Sequence, residues 1–146
     1  AQALAKMRPD ARAVTDLKAA IGSADIICTS TMSTSPLLQG SWLQEGQHVD
    51  LIGAYRPDMR EADDQALQRA RVFVDSFDTT LDHIGELKIP LSSGALRRAD
   101  VQADYYSERG FQRGSERDIT LFKNGGGAHL DLMTARYILQ QWSSAA

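Results

Sequence analysis

The sequence is poor in the features that most readily announce a function. Its 146 residues include one cysteine, so no internal disulfide can form. That residue, Cys28, lies in the apolar run Ile26-Ile27-Cys28 with no cation nearby to stabilise a thiolate, and it is expected to pack as a small hydrophobe. No apolar run approaches the roughly 20 residues of a membrane-spanning helix, and no charged-then-apolar leader opens the chain. These absences argue against a membrane partner and for a cytoplasmic setting. Charge is equally uninformative: 16 Lys and Arg against 19 Asp and Glu give a net charge of −3, without the basic stripe that nucleic-acid binding requires. The three histidines, His48, His83 and His129, lack metal-ligand spacing, so no metal is expected. Gly-x-Ser-x-Gly, Walker and Cys-x-x-Cys signatures are missing, as is a Gly-x-Gly-x-x-Gly fingerprint after a first strand.

What the sequence does hold is enough for one globular domain, 42% hydrophobic and 24% charged. Short apolar runs bounded by turn residues alternate with helical patterns, which predicts βα repeats around a parallel sheet. The expected strands are Asp25 to Thr29, His48 to Gly53, Arg71 to Asp75 and Asp118 to Phe122, with a weaker one at Ala11 to Val14. Their nearly continuous apolar character predicts helices over both sheet faces. Helices are expected near Ala1 to Met7, Asp16 to Ser23, Ser41 to Leu43, Asp63 to Ala70 and Ala128 to Trp142. In the last of these, Leu132, Ala135, Leu139 and Trp142 share one face, most simply a packing face. The polar segment Ser92 to Arg117 has room for a surface helix between two loops.

In a parallel α/β sheet, ligands sit beyond the carboxyl ends of the strands. After the Asp25 to Thr29 run comes Ser30-Thr31-Met32-Ser33-Thr34-Ser35-Pro36, whose hydroxyls and backbone N–H groups can hold ribose or phosphate oxygens; local capping explains such a turn equally well. After the last strand comes Asn124-Gly125-Gly126-Gly127, which leads into the long helix. Glycines there let a ligand approach the backbone at a helix N-terminus, at a cost of roughly 1 kcal/mol each in chain stiffness. After His48 to Gly53 comes Tyr55-Arg56-Pro57, forced to turn by the proline and so projecting side chains at the sheet edge. Arg56 is a candidate bidentate clamp for a substrate carboxylate. The acids that follow, Asp58, Glu61, Asp63 and Asp64, read as the N-cap and first-turn acids of the next helix.

These loops, in this order, resemble the ornithine cyclodeaminase and mu-crystallin family. The resemblance is carried by "ADIICTSTMSTSPLLQGSWLQEGQHVDLIGAYRPDMREADD", "ARVFVDS" and "DITLFKNGGGAHLDLMTARYI", nearly the whole chain from Ala24 to Ile138. It implies a Rossmann-like α/β fold binding NAD(P)H. Residues 1–127 would form part of that domain, and 128–146 a helix leading toward a second, dimerising and substrate-binding domain. It further implies that the first strand, the glycine fingerprint and the strand that reads the cofactor's ribose precede Ala1. On that reading the chain is a fragment, a weak cofactor binder without activity by itself, and the full-length protein is a homodimer.

Carried over residue by residue, Thr29, Thr31, Met32, Ser33 and Thr34 resemble the loop along the nicotinamide ribose and adjoining phosphate. Leu51, Ile52, Gly53 and Tyr55 resemble the strand end beside the nicotinamide. Asn124 and Gly125 stand where the family has a Ser and an aliphatic residue touching cofactor and substrate. Ornithine cyclodeaminases carry an Asp at the position of Tyr55 and a Lys at that of Met59. A tyrosine, with an ordinary pKa of about 10, cannot replace a carboxylate base near neutral pH. The form "GAYRPDMRE" is similar instead to the ketimine-reductase branch. That branch implies reduction of a small cyclic imino acid, with Tyr55 as a candidate catalytic residue and Arg56 and Gly125 touching substrate. Cyclodeaminase or alanine-dehydrogenase activity, or a mu-crystallin-like binding role, remain the alternatives.

Overall fold

A computed structural model describes residues 2–8, 10–108 and 110–145; Ala1, where the first expected helix begins, lies outside them. Five strands form one fully parallel sheet: β1 (Ile26–Thr29), β2 (His48–Leu51), β3 (Ala70–Val74), β4 (Val101–Ala103) and β5 (Ile119–Lys123), in the order β1-β2-β5-β3-β4. The helices are α1 (Gln2–Met7), α2 (Leu17–Gly22), α3 (Asp64–Arg69), α4 (Phe77–Thr80), α5 (Gly85–Ser93) and α6 (Ala128–Ala145). No helix is long and apolar enough to cross a membrane among the described residues.

The strand order decides which face is covered. The steps β1 to β2, β2 to β3 and β3 to β4 run one way across the sheet, and β4 to β5 runs back. Right-handed crossovers place connections of one direction on one face and the reverse connection on the other. Accordingly Val49, Leu51, Val72, Val74, Ile119 and Leu121 face a single apolar core with Ile21 of α2, Ala66 and Leu67 of α3, and Leu87 of α5. The opposite face carries Ile26, Cys28, His48, Asp50, Arg71, Phe73, Thr120 and Phe122, and the returning segment 104–118 crosses it. Helices therefore cover one face, not both. Cys28 lies on the open side and is exposed rather than packed. On that side Phe111 stands edge-on to Phe73, Tyr105 and Phe122 at 5.2–5.5 Å, walling a cleft of about 430 Å³ that also touches His48 and Arg113.

Local chemistry explains the helix starts. Asp16 caps α2 by accepting the Ala19 N–H at 3.0 Å, and Asp63 caps α3 by accepting that of Ala66 at 2.8 Å. Gly94, with φ of 80°, ends α5 in the left-handed region. Several expectations are corrected. Residues 11–14 form no strand, and the turn near Ser41 is a short 3-10 helix, Gly40–Trp42. The polar stretch from Ser92 holds the end of α5 and strand β4, and among its described residues no surface helix but the 3-10 turn Arg98–Asp100. The expected packing face of α6 is uncovered: residues 131–144 are all exposed, from Leu132 at 52% to Trp142 at 76%. After Gly125-Gly126-Gly127 the helix leaves the sheet edge, and among the described residues none of the core side chains belongs to it.

Candidate active site

Because β1, β2, β5 and β3 are parallel and pair in unbroken register, Thr29, Leu51, Lys123 and Val74 end side by side. The loops from Thr29 to Thr34, Leu51 to Tyr55 and Asn124 to Gly125 therefore converge on one edge, as the sequence predicts. The aromatic-walled cleft on the open face draws no residue from these loops, so the concavity and the candidate site are separate places.

The loops after β1 and β2 are held by a carboxylate, that of Glu61, which the sequence pattern suggests as part of a helix start. Glu61, fully buried, accepts the Thr31 N–H at 2.6 Å on Oε1 and the Gly53 and Ala54 N–H groups at 2.8 and 3.3 Å on Oε2. Burial opposes its charge, but the bonds from Thr31 and Gly53 prevail and hold the carboxyl below the ordinary glutamate range. Its backbone is pinned as well. The Glu61 carbonyl accepts the Leu37 and Leu38 N–H groups, and Arg60 donates its N–H to the Ser33 carbonyl. Glu86, also fully buried, accepts the N–H groups of Glu61 and Ala62 at 2.7 and 2.9 Å. Burial raises its carboxyl despite those bonds.

Of the other acids in this stretch, only Asp63 and Asp64 belong to the helix start. Asp58 pairs with Arg56 through two bonds of 3.1 Å, and Asp64 pairs with Arg60 at 2.8 Å. Reading the acids as caps missed Glu61 because a buried acid and a capping acid look alike in sequence. The available signal was surplus, four acids where one N-cap suffices.

Lys123 completes the charge arrangement. It is fully buried, donates to the Leu51 carbonyl at 3.1 Å, and burial pushes its ammonium down while Glu86, Glu61, Asp75 and Asp50 pull it up. Asp75 at the end of β3 accepts the Ser76 N–H, the Thr80 hydroxyl and the Gly125 N–H at 2.9, 2.6 and 2.9 Å.

These bonds decide what the edge can offer a ligand. The Thr31, Gly53 and Gly125 N–H groups are spent on carboxylates, and the Ser33 N–H lies 3.3 Å from the Thr31 hydroxyl it donates to. They do not form an anion cradle, and Gly125 offers a substrate no backbone donor. A Cβ at Gly125 would stand 2.3 Å from the Thr80 hydroxyl, so tight packing accounts for that glycine. Beside the exposed Ser30 and Thr34, three large apolar side chains face outward on adjoining loops: Met32, Ile52 and Tyr55 are 72%, 42% and 58% exposed. Such a ledge suits one face of a planar ring. Arg56 is exposed and its guanidinium is already matched with Asp58. Met59, in place of a lysine, is buried against Ala54 and Ile84 and anchors the turn that projects Tyr55.

A parallel sheet with ligand loops at its carboxyl edge and an outward apolar ledge defines a nucleotide-type α/β domain. The fit to a nicotinamide dinucleotide is partial, since the ledge matches a ring while the 146 residues hold no glycine fingerprint for the pyrophosphate.

The chain belongs to the ornithine cyclodeaminase/mu-crystallin family, whose model matches residues 1–146. It is 54% identical over 132 residues to a Δ1-pyrroline-2-carboxylate reductase of Paracoccus denitrificans, covering 88% of this chain and 42% of that protein. Among solved structures it resembles Thermococcus litoralis Δ1-pyrroline-2-carboxylate reductase in complex with NADH and L-proline. The TM-score is 0.78 at 29% identity, over 84% of this chain and 39% of that one. It also resembles an archaeal alanine dehydrogenase dimer with bound NAD, with a TM-score of 0.83 at 27% identity over 98% and 45% of the two chains. The chain thus spans about two-fifths of the length of the curated relatives it matches.

Proposed function

We propose that the full-length protein carrying this chain reduces a small cyclic imino acid, Δ1-pyrroline-2-carboxylate or Δ1-piperideine-2-carboxylate, to proline or pipecolate with NADH or NADPH. The observation that carries the reading is the edge itself. Thr29 to Thr34 and Leu51 to Tyr55 converge there, and the outward group where cyclodeaminases have an Asp is the phenol of Tyr55. The reaction named for the Paracoccus and Thermococcus relatives supports it.

The cofactor supplies the hydride, and the protein's task is to position. An imine already protonated at nitrogen accepts hydride at carbon without a carboxylate base, so a tyrosine suffices as pocket wall and hydrogen-bond partner. Met32 and Ile52 would flank the nicotinamide, and Arg56, once released from Asp58, would meet the substrate carboxylate. The segment from Ala128 on leads to the part of the protein that completes the site and pairs two copies.

The test is NAD(P)H oxidation by the full-length protein with Δ1-pyrroline-2-carboxylate, pyruvate plus ammonia, and ornithine supplied separately. Imine reduction is expected with one of the two cofactors. Release of proline from ornithine without any imine reduction would refute the proposal. The likeness to an alanine dehydrogenase over nearly the whole chain favours a second reading, amination of a keto acid, which the pyruvate arm detects.

A further inference from the structure

We propose that Glu61 is a positioning residue of this edge, the strut whose carboxylate fixes the spacing between the loop after β1 and the loop after β2. The inference rests on the reading that this edge receives the nicotinamide half of NAD(P)H.

Each carboxylate oxygen serves a different loop, Oε1 the Thr31 N–H and Oε2 the Gly53 and Ala54 N–H groups. Side-chain length and charge therefore set the gap between Met32 on one side and Ile52 and Tyr55 on the other. The loops are already as close as the backbone allows: a Cβ on Gly53 would lie 2.1 Å from the Thr31 N and O atoms. Glu61 lies ahead of α3, which begins at Asp64 and is capped by Asp63, so it has no helix to serve. Its own position is set from behind by Glu86 on its N–H group and by Leu37 and Leu38 on its carbonyl. Lys123 supplies the positive charge on the buried side while holding the Leu51 carbonyl, one residue before the ledge begins at Ile52. A carboxylate that takes backbone donors away from a ligand and still joins two ligand loops makes sense as preorganisation: it leaves the outward apolar groups at a fixed separation.

The experiment measures NAD(P)H affinity of the full-length protein by fluorescence, alongside KM for NAD(P)H and for Δ1-pyrroline-2-carboxylate. Glu61→Asp keeps the charge but shortens the reach by one methylene, and Glu61→Gln keeps the length but removes the charge. Both are expected to raise the cofactor dissociation constant and KM at least tenfold, with the imine KM moving less than threefold. Leu67→Ala, a core cavity far from the loops, is the comparison for lost stability and leaves cofactor affinity unchanged. Wild-type affinity in Glu61→Asp, or an equal loss in Leu67→Ala, overturns the proposal.

A measurement on the wild type covers the case in which the variants do not fold. Amide hydrogen exchange at Thr31 and Gly53 is expected to be slow without cofactor and unaltered by it. Fast exchange that slows only on cofactor addition overturns the proposal, because the ligand would then be organising the loops. A wild-type protein that binds neither NADH nor NADPH refutes the cofactor reading instead, so the two failures are distinguishable.

Discussion

Gly53→Ala tests the packing between the β1 and β2 loops directly. The new Cβ would lie 2.1 Å from the Thr31 N and O atoms and 2.5 Å from Glu61 Oε1, where ordinary contact begins at 3.4 Å. Two of those neighbours are backbone, so no side chain can swing aside and the loops must part by roughly an ångström. Backbone strain does not enter, because the φ of Gly53 is not among the positive ones. Parting the loops stretches the Thr31 and Gly53 bonds to Glu61, now 2.6 and 2.8 Å. Charge-assisted hydrogen bonds are worth about 1.5–3 kcal/mol each, and overpacking costs about 1–3 kcal/mol. Since partial relaxation saves some of both, the expected destabilisation is about 3 kcal/mol. In urea it appears as a lower midpoint at unchanged slope, and in a thermal scan as a drop of about 6–12 °C. Gly22→Ala serves as the opposite case. Nothing lies within 4 Å of its Cβ in α2, and it should stabilise by up to about 1 kcal/mol. A Gly53→Ala loss below about 0.5 kcal/mol would show that the loops are not pressed together.

Lys123→Met takes the Lys123 charge from the buried Glu61 and Glu86 and leaves Glu86 only Arg60, itself paired with Asp64; removing one partner of a buried charge group costs about 3–5 kcal/mol. Urea denaturation checks it, and a neutral result would mean that Glu86 takes up a proton in exchange. Arg56→Ala breaks an exposed pair with Asp58 and should change stability by no more than about 1 kcal/mol. If the full-length protein reduces the imine as proposed, the same variant should raise the imine KM at least tenfold, and an unchanged KM removes Arg56 from the proposed site. His48 is held below its ordinary value of 6.5 chiefly by burial, against the pull of Asp50. The unfolded chain then binds the proton more readily, so stability from His48 is present above pH 6.5 and declines as pH falls below it. Replacing His48 by Gln should flatten that part of the stability–pH curve, measured by thermal melts from pH 7.5 to 5.

What was legible in the sequence was the part written in local hydrophobicity. Four strands announced themselves as short apolar runs between turn residues, and the parallel arrangement followed from their spacing. The run from residue 11 failed because an apolar run needs a neighbouring strand to become one. Val101–Ala103 went unseen because three residues in a polar stretch have no period to detect, yet a place beside β3 suffices to make them a strand. In α5, Pro90 and a near-uniform mix of apolar and polar residues hid a helix that core contacts from Leu87 and Leu91 hold in place. The face left open follows from strand order, which no single segment encodes. The candidate loops were chosen because fold topology places ligands at strand ends, a rule that needs only the strand assignment. The buried charges that fix those loops were not, since burial of Glu61, Glu86 and Lys123 is a product of the assembled fold.

The stretch from Gly53 to Asp64 does five jobs within a dozen residues. Gly53 brings two loops into contact, Tyr55 and Arg56 face outward, and Met59 turns inward to seat the bend. Glu61 ties the loops together, and Asp63 starts the next helix while also accepting the Gly40 N–H. The outward residues are free to vary in chemistry because the inward ones carry the geometry. A phenol can therefore stand in place of the cyclodeaminase carboxylate without disturbing the frame, since nothing that fixes the two loops passes through the Tyr55 side chain. The acid two residues after Met59 belongs to the scaffold that holds both loops.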